Sequence, residues 1–91
     1  MGNESEISWD QNAKEKFDQM IAKIPSFLRP IALTKVSKKA EILTQKENRQ
    51  EVSEKDVVDA FFIETPFGFH GPMKTDMQDL GIDYRKYGYE K

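Results

Sequence analysis

Apolar residues fall at helical spacing in three separate stretches of this chain. Ala13, Phe17, Ile21 and Ile24 recur about every four residues, with Lys14, Glu15, Lys16 and Asp18 between them, which predicts an amphipathic helix over residues 9–23. Ser8 and Gln11 make a capping-box pair at its start, and Trp9 is too large to leave in water and should pack on the body. Pro25 ends the helix, because the residue before a proline avoids helical angles. Pro30 lacks an N–H and suits a first helical turn, so a second helix is predicted over 28–46. Its inward series is Leu33, Val36, Ala40 and Leu43, with Ala32 and Ile42 on the flank. Residues 47–51 read as a polar turn. Ser53 then caps a third helix over 54–64, with Asp56 reaching back and Glu54 at the positive end of the dipole. Val57, Val58, Ala60, Phe61 and Ile63 form its buried side, and Val52 can staple to Val57.

Past Thr65 the pattern changes. Residues 65–72 hold two prolines, two glycines, Phe67, Phe69 and His70 and read as a loop. A short helix over 72–80 follows, with Met73, Met77 and Leu80 on one side, Gly81 as its left-handed stop and Ile82 folding back on Met77. Tyr84, Tyr87 and Tyr89 make an aromatic tail. No stretch alternates as a strand would, and no repeat is evident. The prediction is all-α: a small single-domain helical bundle of three main helices and a short fourth. Residues 1–7 are expected to be a flexible N-terminus, 8–64 the helical domain, and 65–91 an extension packed on it.

Composition narrows the function classes. The chain has 91 residues, 14 Lys+Arg, 16 Asp+Glu, one His and no Cys. Leu, Ile, Val and Phe supply 21 residues, above the roughly 20% that marks disorder, so the chain can fold around a thin core. Without cysteine it cannot supply a thiolate zinc site, a Cys nucleophile or cysteine ligands to an iron–sulfur cluster. The longest apolar run is Ala60 to Ile63, far short of a membrane span. The first residues lack the pattern of a secretory signal, which gives the Asn3-Glu4-Ser5 sequon little weight. A soluble cytoplasmic protein is expected, and the near-neutral charge makes general nucleic-acid binding unfavourable.

The stretch from Trp9 to about Phe62 resembles a known family. Trp9 and Ala13 are followed by Ile24-Pro25-Ser26-Phe27-Leu28-Arg29, then by Ala32 and Ala40, then by Val52-Ser53 with Val57 and Ala60. In order and spacing this is similar to the small C-terminal domain of the B subunit of light-independent (dark-operative) protochlorophyllide reductase, which also occurs as stand-alone copies. Ser37 stands where that family commonly has Glu, Pro30 replaces a small or basic residue, and residues 65–91 lie outside the pattern. The resemblance implies a link to an oxidoreductase of chlorophyll biosynthesis and photosynthesis, with a reductase-type subunit as partner and a tetrapyrrole nearby. It implies an accessory domain, since the family's cluster ligands are cysteines elsewhere and no side chain here supplies electrons.

Five residues are singled out as a contact surface: Phe27, Arg29, Phe67, Phe69 and His70. Arg29 could grip a carboxylate in a bidentate pair, or bridge helices through an internal acid such as Glu64. His70, between two aromatics, could ligate a tetrapyrrole metal; the plainer reading is an exposed histidine in a loop that the two Phe fasten to the core. Lys35, Lys38 and Lys39 could meet phosphate or simply form a solvated face. Phe61 and Phe62 are adjacent, so one of them needs the C-terminal segment or a partner to cover it. The three tyrosines could stack on a ligand or strap the bundle. A non-catalytic binding module is the leading expectation. A dimerising, DNA-binding histone-fold-like protein, suggested by the Val52-Ser53 opening and the short–long–short helix order, is the second. A small tetrapyrrole carrier using His70 is the third.

Overall fold

A computed structural model of the chain describes residues 7–89. The expected flexible terminus and the sequon lie outside the described residues, except for Ile7, which is half-buried against the core. The architecture is all-α. Helix α1 spans Gln11–Lys23, α2 Arg29–Lys46, α3 Glu54–Glu64 and α4 His70–Asp79. Short tight-helical turns at Ser26–Leu28 and Phe67–Phe69 lead into α2 and α4, and a third at Tyr84–Tyr87 ends the fold.

The first helix starts later than its apolar spacing predicts. Ser8 and Trp9 form a two-residue strand, β1, paired in parallel with Glu51–Val52, β2, in the register Ser8 to Glu51 and Trp9 to Val52. Ser8 therefore does not cap α1. Its N–H and hydroxyl both go to the carbonyl of Gln50, and Asp10 takes over the cap by accepting from the N–H of Ala13 at 3.2 Å. Two residues are too few for an alternating pattern to be visible, which is why the strands escape a periodicity argument. At α3 the prediction holds. Ser53 accepts from the N–H of Asp56 while Asp56 accepts from the N–H of Ser53, a reciprocal capping box, and both Val52 and Val57 are buried.

The core runs from Ala13, Phe17 and Met20 on α1, through Val36 and Ala40 on α2, to Val57, Val58, Ala60, Phe61 and Phe62 on α3. Residues beyond 65 add Met73, Met77, Ile82 and Tyr84 to the same core. Trp9 packs its ring 5.2 Å from that of Phe17 and donates its indole N–H to Glu41. On α2 the inward face is turned slightly from the predicted one. Leu33 is exposed and Thr44 is fully buried, because α2 presents Val36, Ala40 and Thr44 to the core at four-residue steps. Ile63, expected inside, is exposed for the same angular reason, with Phe61 and Phe62 taking the inward positions. Gly81 adopts φ +77° and closes α4 as expected, with the N–H of Ile82 returning to the carbonyl of Met77 at 2.8 Å.

The tyrosine tail straps the bundle. Phe62 is only 7% exposed because Tyr89 stacks on it at 3.9 Å with the rings 3° from parallel. The Tyr89 hydroxyl donates to Asp59 at 2.6 Å. No helix among the described residues is long and apolar enough to cross a membrane.

Candidate functional site: an apolar groove between two matching connections

Two of the three helix-to-helix connections, those after α1 and after α3, share one backbone path. After α1, Ile24 is extended (φ −82°, ψ 141°) and Pro25 follows at φ −52°, ψ 141°. After α3, Thr65 is extended (φ −97°, ψ 129°) and Pro66 follows at φ −56°, ψ 144°. Each proline starts a three-residue tight turn closed by a 2.9 Å bond, from the N–H of Leu28 to Pro25 and from the N–H of Phe69 to Pro66. Proline fits here because its fixed φ sets the turn and its missing N–H is needed by neither helix.

The side chains repeat the match. Arg29 donates through Nε to the carbonyl of Ile24 at 2.8 Å and through Nη2 to that of Ala22 at 2.9 Å. His70, at the equivalent position, places Nε2 2.9 Å from the carbonyl of Thr65. Each basic side chain thus satisfies carbonyls left open where the preceding helix stops. Arg29 does not bridge to Glu64, which instead lies 4.0 Å from Lys39. His70 is not an exposed loop residue either: it opens α4, is half-buried, and meets the ring of Phe62 edge-on at 5.1 Å. With Nε2–H donating to a carbonyl, the lone pair of the neutral imidazole sits on Nδ1.

Replacing Arg29 with alanine is expected to lower stability by about 1 kcal/mol, the exposed end of the range for a charge-assisted bond. Lysine should recover only part of it, because an ammonium cannot reach two carbonyls with a fixed fork. Urea unfolding of both variants measures the difference, and an alanine variant as stable as the parent would remove the capping role.

The matching halves enclose one surface groove of about 440 Å³. A shift of 41 positions, Ile24 to Thr65, carries Met20 to Phe61, Lys23 to Glu64, Pro25 to Pro66 and Leu28 to Phe69. The same shift carries Ile31 to Pro72, Ala32 to Met73 and Lys35 to Asp76, and every one of these residues lines the groove. Two ion pairs lie beside it: Lys23 of α1 is 3.9 Å from Asp76 of α4, and Lys39 of α2 is 4.0 Å from Glu64 of α3. The groove is thus lined by matching positions of the two connections and the helices beside them. No repeat is visible in the sequence because, of these eight pairs, only Pro25 and Pro66 are identical.

The five residues singled out from the sequence do not form one site. Phe69 lines the groove, next to the turn that holds Leu28. Phe67 and His70 line a second, shallower hollow of about 340 Å³ with Phe62, Lys74 and Tyr89. Phe27 lines neither. Phe27, Phe67 and Phe69 are 77%, 87% and 63% exposed, so the two Phe beside His70 do not fasten a loop to the core. Met20, Ile31, Met73 and Asp76 were missed, because each reads in the sequence as an ordinary helix position, and Lys35 was weighed only with Lys38 and Lys39 as a basic face. Pro25 and Pro66, each at the end of an apolar helix and each before a basic residue four positions on, were the available signal.

Elsewhere the charged groups hold the fold. Asp56 is buried and accepts from both terminal nitrogens of Arg49 at 2.8 and 2.9 Å, from Thr44 at 2.9 Å, and from the Ser53 N–H and hydroxyl. Burial alone would raise its pKa, but the donors from Arg49, Ser53 and Thr44 outweigh it and hold the carboxyl below the usual carboxylate range. Among the described residues no group of His, Cys, Asp and Glu is arranged to hold a metal ion.

Fold and site together define a small four-helix domain in which two matching proline connections border an apolar surface groove. The chain belongs to the family described as a protein of unknown function, DUF2621, whose model matches residues 2–90 and so runs through the C-terminal strap. No curated protein and no solved structure matches it.

Proposed function

We propose that this chain is a non-catalytic binding module that offers its groove to the apolar face of another protein surface. The observation that carries this reading is the groove itself, with Leu28, Ile31 and Phe69 exposed along it. A patch of this kind is what docking surfaces leave open. The residues with the most reactive chemistry support the same reading, because Arg29, Asp56, His70 and Tyr89 each hold a neighbouring part of the fold. The resemblance to the terminal domain of protochlorophyllide reductase agrees with an accessory role beside a larger partner such as a reductase-type subunit. A cytoplasmic location is part of the reading; one third of the residues are charged and none is cysteine, which suits a reducing compartment.

The test is a heteronuclear NMR titration of the labelled protein with the apolar fluorophore anilinonaphthalene sulfonate, repeated with a soluble magnesium porphyrin. Shifts from the fluorophore should gather on Met20, Ile24, Leu28, Ile31, Phe69 and Met73. The double substitution Ile31→Glu, Phe69→Glu should abolish them while leaving the circular dichroism spectrum unchanged. Shifts confined to the hollow around Phe67 and His70, or spread over the whole surface, would overturn the groove as the binding face. Porphyrin shifts on the groove would extend the reading to a tetrapyrrole.

A further inference from the structure

We propose that Tyr89 is the exchangeable occupant of a tyrosine-binding slot on α3, and that a tyrosine side chain of a partner protein takes the slot when Tyr89 swings out at Gly88. The slot is separate from the groove, since none of its residues lines that surface. Its floor is the ring of Phe62, and its acceptor is the carboxylate of Asp59, three residues earlier on the same face of α3. The ring of His70 meets Phe62 edge-on at 5.1 Å, and that of Tyr84 lies 6.1 Å away. Each of these groups is held by something other than Tyr89. His70 lies 2.9 Å from the carbonyl of Thr65, Tyr84 accepts from Gln78 at 3.0 Å, and Asp59 accepts from Lys55 at 2.7 Å. The slot therefore keeps its shape when Tyr89 leaves it.

The occupant shows what the slot accepts. Tyr89 lies 3.9 Å from Phe62 with the rings 3° from parallel, and its hydroxyl donates to Asp59 at 2.6 Å. A flat ring with a donor at its far end meets both conditions, and tyrosine is the side chain that has them. Tyr89 itself is held lightly. It is half-buried where Phe62 is buried, and its N–H reaches the carbonyl of Tyr84 only at 3.4 Å. The residue before it is an exposed glycine at φ +96°, where a Cβ would meet nothing within 4 Å. Glycine moves between positive and negative φ at little cost, so residues 88 and 89 can lift while Tyr84, which is 4% exposed, stays in the core. A hollow of about 340 Å³, bordered by Phe62, Phe67, Gly88 and Tyr89, opens beside the stack and gives an incoming chain a way in.

A synthetic peptide with the sequence of residues 86–91 is the probe, added to the labelled full chain and to its Tyr89→Ala variant, with NMR shifts read at Asp59, Phe62 and His70. It should bind the variant at least about tenfold more tightly than the parent, where the tethered ring competes at a local concentration of roughly millimolar. Tyr89→Phe within the peptide should weaken binding about fivefold, the loss of one hydrogen bond. A folded variant that ignores the peptide, binds it no better than the parent does, or binds both peptides alike overturns the slot. Saturation transfer on isotope-labelled tyrosine rings tests the exchange in the parent chain itself. Tyr89 should show a minor, solvent-exposed state at roughly 0.1–10%, absent from Tyr84 and insensitive to low concentrations of urea, because it exposes little surface. Opening of Tyr89 only together with Tyr84, on global unfolding, would make the strap a fixed part of the core and overturn the exchange; this measurement decides alone if Tyr89→Ala does not fold.

Discussion

Substituting Asp56 by alanine should destabilise the protein by about 4 kcal/mol, the range for breaking a buried ion pair by removing one partner. The side chain closes the capping box of α3, receives Thr44 from α2, and anchors Arg49 from the turn between α2 and β2. One deletion therefore loosens the start of α3, its packing on α2 and the approach to the β1–β2 pairing together. Asparagine should cost less, about 2 kcal/mol, since it can still cap the helix but cannot satisfy both guanidinium nitrogens. The pH dependence has a definite sign. Asp56 has a folded pKa below its unfolded value, so its stabilisation is present above about pH 4 and is lost as pH falls through the folded pKa. Denaturant midpoints taken from pH 7 downward should show an acid loss that Asp56→Asn largely removes. An alanine variant within 1 kcal/mol of the parent would show that Arg49 and Thr44 find other partners.

Removing the strap should be nearly as costly. A chain ending at Asp83 loses Tyr84, which is 4% exposed and accepts from Gln78, and loses Tyr89 from the face of Phe62. Deleting one buried aromatic costs about 3–5 kcal/mol. Uncovering Phe62 adds to this, against a total stability of about 5–15 kcal/mol for a domain. The truncated chain should be largely unfolded at 37 °C by circular dichroism. Tyr89→Phe is the gentler companion, keeping the stack and losing only the bond to Asp59, for about 1 kcal/mol. Burial, with Asp59 beside it, raises the pKa of the Tyr89 hydroxyl. Its contribution is therefore complete below about pH 10 and fades above it. A stable truncated chain would mean that residues 84–91 are an appendage rather than part of the core.

What could be read from the sequence was what rests on local pattern. The capping box at Ser53, the stop at Gly81 and the proline in the first turn of α2 depend on residues within one helical turn of each other, and they stand where expected. The strap over Phe62 was legible too, since two adjacent Phe on one helix cannot both face inward unaided. Contacts decided by distant partners were not. Ser8 pairs with a segment more than forty residues away and so gives up the cap to Asp10. Arg29 turns back to α1 rather than across to Glu64, because the open carbonyls of Ile24 and Ala22 lie nearer than any acid. The groove was invisible for a related reason: its two halves match in backbone and hardly at all in side chain.

The pairing of β1 with β2 also bears on how the molecule forms in time. The most extensive helix packing, α2 on α3, joins elements that are neighbours in sequence, the sort of contact that forms quickly. The hydrogen bonds from Ser8 to Gln50 and from Asp10 to Val52 join segments more than forty residues apart, so they close a much longer loop. Both bonds need the two segments in place together, so hydrogen exchange at the amides of Ser8 and Asp10 reports how often β1 lifts away from β2.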